Sequence, residues 1–153
     1  MKRRPTTPPS SSPYLRDRRA ESGRFAAILY AAIVLFALQV AHALDHAIGH
    51  PPDAVGQIPG YLGFITNAAV IYLAWRGDAL APLAAAAVGF FTAAALIAIH
   101  LAPHWGVLSD PYSKLDLPAI SWAIVFVSIG WSLFLGLLGL REMLARQSRA
   151  APA

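Results

Sequence analysis

Four long apolar runs dominate the chain, and polar residues are confined to the stretches around them. The runs cover approximately Phe25–Ile48, Pro59–Trp75, Ala79–Leu101 and Pro118–Leu140. A helix rises about 1.5 Å per residue, so about 20 residues cross a hydrocarbon layer about 30 Å thick. The second run is the shortest, and Pro59 suits a first helical position because its missing N–H needs no partner there. Each run therefore predicts a transmembrane helix. Only Arg76-Gly77-Asp78 separates the second run from the third, which forces an antiparallel hairpin. The expected fold is an all-α membrane protein, a four-helix transmembrane bundle running up-down-up-down.

Composition strengthens this reading. Charged residues make up 13% of the chain and hydrophobic ones 57%, whereas a soluble domain carries about 25% charged residues. Most of the charges lie at the two ends, so lipid is the expected solvent for the middle. Residues 1–24 hold four prolines, a run of three serines and seven basic residues, a composition that predicts a disordered tail. The transmembrane domain is expected over 25–140, with a short tail over 141–153. Ala41-His42-Ala43 resembles a signal-cleavage site, but the apolar run from Phe25 to Leu44 exceeds an h-region of about 7–15 residues. An uncleaved first helix is expected.

Charge placement sets the orientation. With both termini in the cytoplasm, Lys114 is the one external basic residue of twelve, as the positive-inside rule requires. The aromatic residues agree, with Tyr72 and Trp75 at the inner interface and Tyr61, Trp105, Tyr112 and Trp122 at the outer one. A pI of about 9.9 raises the question of nucleic acid. The basic residues flank the spans, so anionic lipid headgroups are the expected partner and nucleic acid is not. The Ala-, Arg- and Pro-rich style resembles small membrane proteins of high-GC bacteria, and the expected location is the plasma membrane. The Arg76-Gly77-Asp78 tripeptide matches an adhesion motif by letter, but it is expected to face the cytoplasm.

Small residues recur at helical spacing. Ala85, Gly89 and Ala93 on the third helix and Ser128, Ser132 and Gly136 on the fourth let backbones approach closely in lipid and predict a compact bundle. Thr66, Asn67 and Thr92 are read as interhelical or local hydrogen-bonding groups.

The candidate chemistry lies at the outer end. All five histidines fall there: His42, His46 and His50 close the first helix, and His100 and His104 close the third. His46 and His100 each stand 21 residues beyond the start of their runs and so share a depth. His-x-x-x-His leads to Pro51-Pro52-Asp53 in one half and to Asp110-Pro111 in the other, which suggests two repeated hairpins. His42 and His46 stack on one helical face, with Gln39 below and Asp45 beside them. A carboxylate near hydrocarbon needs a partner, and imidazole is the obvious one. His50 precedes Pro51 and His104 follows Pro103, so both are expected in bent backbone.

Neutral imidazole is the commonest ligand of zinc, copper, nickel and iron, and carboxylates complete or orient the shell. His42, Asp45, His46, His50, His100, His104 and Asp110 are therefore the candidate ligands of a transition metal, zinc or copper. The chain has no cysteine, which removes thiolate catalysis and Cys-based zinc or iron–sulfur sites. Neither histidine pair carries the glutamate of a zinc-protease motif, and no catalytic set is read. Three other readings stand beside metal binding. One is an accessory or structural membrane subunit with interfacial histidines, packing against a membrane partner or a second copy. Another is a b-type haem protein ligated by His46 and His100. The last is a proton relay or pH sensor. No ionisable residue lies in the inner half of any run, which leaves no ion path across the bilayer.

Overall fold

The computed structural model describes residues 13–49 and 55–150, with side chains over 23–49 and 55–148. It is all-helical: α1 spans Pro13–Gly49, α2 Ile58–Trp75, α3 Ala81–Leu96 and α4 Ala119–Ala150. A five-residue π turn, Ile97–Leu101, prolongs α3, and a short 3-10 turn, Tyr112–Lys114, interrupts the loop before α4. All four helices are long and apolar enough to cross a membrane.

The helices outrun the apolar segments that predict them. α1 begins at Pro13, inside the stretch read as a tail, while residues 1–12 lie outside the described residues. α4 continues past Leu140 through Ala150. Both extensions are rich in Arg, Ala, Leu and Glu, which are good helix formers. Adding residues to an existing helix avoids the cost of nucleation, so the apolar pattern marks only the part that lipid requires.

The hairpin between α2 and α3 closes through Gly77, whose φ is +64°. The Asp78 N–H reaches the Leu73 carbonyl at 2.9 Å and the Gly77 N–H reaches Ala74 at 3.1 Å, the paired bonds of a Schellman cap. The Asp78 carboxylate accepts the Leu80 N–H at 2.8 Å. The Arg-Gly-Asp tripeptide is thus occupied in building a tight turn.

α3 and α4 touch backbone to backbone. A Cβ added at Gly89 would sit 2.4 Å from the Gly136 nitrogen, and one at Gly139 would sit 2.5 Å from the Ala86 nitrogen. The two small-residue stripes face each other across this seam: Ala85, Gly89, Ala93, Ser128, Ser132 and Gly136 are all buried. α1 and α2 close the bundle around Ile28, Leu35, Val70 and Leu135. Two polar side chains within the spans bond across to α1. Asn67 donates to the Ala32 carbonyl and to Gln39, both at 3.1 Å, and Trp131 donates to Ala31 at 2.8 Å. Ile65, Phe91, Phe126 and Leu137 are exposed on the outside, as expected for side chains solvated by lipid.

Candidate metal centre

At one end of the bundle, α1, the π turn and the loop before α4 converge. On α1, His42 and His46 are one turn apart, and their rings meet edge to face with centroids 4.6 Å apart. His100 comes from the π turn, where the Ala102 N–H bonds back five residues to Ile97. π turns free carbonyls that an α-helix would use, and Pro103 has no N–H to offer. The loop supplies the missing donors: the Trp105 indole reaches the Ala98 carbonyl at 2.6 Å and the Asp110 N–H reaches the Ile99 carbonyl at 2.9 Å. Satisfying the frayed end of α3 therefore fixes Asp110 beside His100.

His42, His46 and His100 each offer a ring nitrogen, and these three atoms all lie within 4.8 Å of one another. His42 Nε2 and His100 Nε2 are 3.2 Å apart. His46 and His100 are buried, at 9% and 4% exposure, which is little contact with lipid or water for an interfacial anchor. Asp110 touches both: its backbone carbonyl is 3.2 Å from His100 Nδ1, and its carboxylate is 3.8 Å from His46 Nδ1. Asp45 lies on the same face of α1, half-buried, and accepts the Ser121 hydroxyl at 2.8 Å.

The other candidates fall elsewhere. His104 is exposed on the loop and outside the three-histidine group. His50 and Asp53 lie outside the described residues. Gln39 turns to Asn67 of α2.

Two participants escape a reading by motif. Tyr112, expected as an interface aromatic, is fully buried. Its ring packs 4.6 Å from His100 and 5.5 Å from Trp122, and its hydroxyl is 3.5 Å from His46 Nε2. Burial, followed by the charges of Asp45 and Asp110, pushes the phenol above its ordinary pKa, so it stays protonated and able to donate. Ser121, at the start of α4, is the other. The only hint in the sequence is position: Tyr112 follows Asp110-Pro111, and Ser121 opens the last apolar run.

Chemically, the site gathers three soft-to-borderline nitrogen bases with acceptors behind two of them. Nitrogen atoms around a tetrahedral zinc ion at about 2.0–2.1 Å are about 3.3 Å apart. The spacing of His42 and His100 matches this. Compared with known proteins, the chain matches no family model, no curated protein and no solved structure.

Proposed function

We propose that this multi-pass membrane protein binds one divalent transition-metal ion, zinc or copper, through His42, His46 and His100. The observation that carries this reading is the convergence of three ring nitrogens within 4.8 Å, two of them on buried residues. Asp45 and Asp110 bring two negative charges, which offset a dication in a setting where an unbalanced charge is costly. Three protein nitrogens leave one position of a tetrahedral ion to water or another small ligand. No thiolate or thioether stands in the group, which favours a divalent ion over cuprous copper.

Two of the other readings fit less well. Haem ligation by His46 and His100 needs a slot for the macrocycle between them. Their ring centroids are 5.2 Å apart, with the His42 ring against both. The interfacial-anchor reading expects exposed rings, which only His104 has among the described histidines.

By the positive-inside rule, both termini are cytoplasmic and the site opens on the outer side of the plasma membrane. The test is to purify the full chain in detergent and measure its metal content and optical spectrum. Zinc or copper at about one per chain, lost on joint substitution of His46→Ala and His100→Ala, supports the proposal. A Soret band would replace it with the haem reading. Neither metal nor chromophore, with no uptake of added Zn²⁺ or Co²⁺, would leave the accessory-subunit reading.

A further inference from the structure

The end of the bundle opposite the histidines carries a groove that metal binding does not use. Phe25 packs against the α2–α3 turn, where a Cβ on Gly77 would sit 3.9 Å from its ring. Two clefts meet there. One, of about 340 Å³, runs between α1 and α2 over Phe25, Leu29 and Ala74, with Trp75 and Arg76 beside them. The other, of about 290 Å³, is lined by Phe25, Gly77, Ala79 and Arg146. Both include Phe25 and Gly77, so they adjoin, and each is bordered by a guanidinium group.

Charge and depth both constrain what fits. Of the acids whose side chains are described at this end, Glu142 faces Arg24 at 3.6 Å and Asp78 accepts the Leu80 N–H. Arg76 is exposed, and among the described residues no carboxylate pairs with it. Arg146 gives one N–H to the Ala79 carbonyl, and a guanidinium has five to give. Tyr72 and Trp75 are exposed together, with ring centroids 6.4 Å apart, and exposed Tyr and Trp mark the level of lipid headgroups. A free anion would match the arginines and leave the apolar floor unfilled. A plain hydrocarbon would leave the cations unmatched.

We infer that this groove binds one anionic phospholipid, its phosphate held by Arg76 and Arg146 and its acyl chain laid along Leu29 and Trp75. The planar fork of arginine matches phosphate oxygens, and a basic pocket between transmembrane helices is a headgroup site. Flanking charge only concentrates such lipids near the protein, whereas cations bordering an apolar groove fix one in place. The site is independent of the metal centre at the other end.

The test is native mass spectrometry of the full chain in detergent, with equal amounts of phosphatidylglycerol and phosphatidylcholine of the same acyl chains added. The expected wild-type result is one phosphatidylglycerol retained in preference to phosphatidylcholine. Arg76→Gln should lower that preference about fivefold, the worth of one cation near the membrane surface. Arg146→Gln should do the same, and if it fails to fold, the exposed Arg76 carries the test. Arg141→Gln should leave the preference within about twofold, because Arg141 is exposed at the same end but lines neither cleft. Trp75→Ala should weaken retention of the lipid, and an excess of glycerol 3-phosphate should not displace it. Equal retention of the two lipids, or an equal loss in Arg141→Gln, would mean diffuse attraction and overturn the proposal. Displacement by glycerol 3-phosphate would assign the groove to a free phosphate ester instead. Chain dimers in place of the lipid adduct, lost in Trp75→Ala, would give it to a second copy.

Discussion

The two ends of the bundle solve opposite electrostatic problems. At the end holding the α2–α3 turn, two arginines meet partners of their own. Arg24 stands 3.6 Å from the buried Glu142. Arg146 donates to the Ala79 carbonyl at 2.8 Å and lies 5.3 Å over the Phe25 ring. Arg24 and Arg146 are thus both answered by groups of this chain. At the histidine end, besides the hydroxyls of Tyr112 and Ser121, three imidazoles, two carboxylates and a carbonyl converge. The contrast teaches that polar side chains at a membrane surface differ by whether their chemistry closes. The arginine end holds helices together, while the histidine end gathers the ring nitrogens to which the proposed ion would bind.

The comparison can be broken at several points, beginning with the largest effect. Removing His100 should abolish stoichiometric metal and the metal-induced rise in unfolding temperature. That rise corresponds to about 2.7 kcal/mol at a metal concentration 100 times Kd, and a thermal melt with and without Zn²⁺ measures it. If His100→Ala keeps the full shift, the convergence of the three rings is not the binding site.

The next effect should strike both ends together. Gly89→Ala forces apart the seam between α3 and α4, where the new Cβ meets backbone at 2.4 Å. Overpacking of this kind costs about 1–3 kcal/mol. Stability in detergent should drop, and metal affinity should fall with it because His100 rides on α3. Unchanged stability would mean the seam is looser than its geometry indicates.

Glu142→Gln should separate the ends. It leaves Arg24 without its carboxylate at a partly buried position, at a cost between that of an exposed pair and a buried one, about 1–3 kcal/mol. Chemical denaturation should register this loss, while Zn²⁺ affinity stays within about twofold, a difference of about 0.4 kcal/mol. A large loss of affinity would show the two ends to be coupled. The smallest effect is expected from His104→Ala, because that ring is exposed and outside the group. Metal titration should find affinity and stoichiometry unchanged, and a marked weakening would place His104 in the shell.

Much of this was legible before any coordinates. Lipid tolerates no unpaired backbone, so a run of about 20 apolar residues has one structural outcome, and all four spans follow from it. The small-residue stripes marked the α3–α4 seam because only glycine, alanine and serine permit such an approach. His42 and His46 could be set on one face from the 3.6-residue repeat alone.

The partners of that face needed the fold. Equal depth paired His46 with His100 and left His104 in bent backbone beyond Pro103, but it could not show which of these rings reach one another across the bundle. The π turn decided this. It buries His100 against α1 and leaves His104 on the loop beyond Pro103, and no apolar periodicity records one extra residue in a turn. Tyr112 and Ser121 were invisible for a related reason: they lie 66 and 76 positions away from their α1 partners.

The linear pattern of hydrophobic residues thus determined which segments become helices and gathered the four described histidines at one end, because helix formation in lipid is a local consequence of composition. Only the tertiary structure decided which of those histidines share an ion-sized space and which acceptors stand behind them. That choice is made by loop residues satisfying the frayed end of α3, a requirement that exists only once the helices have packed.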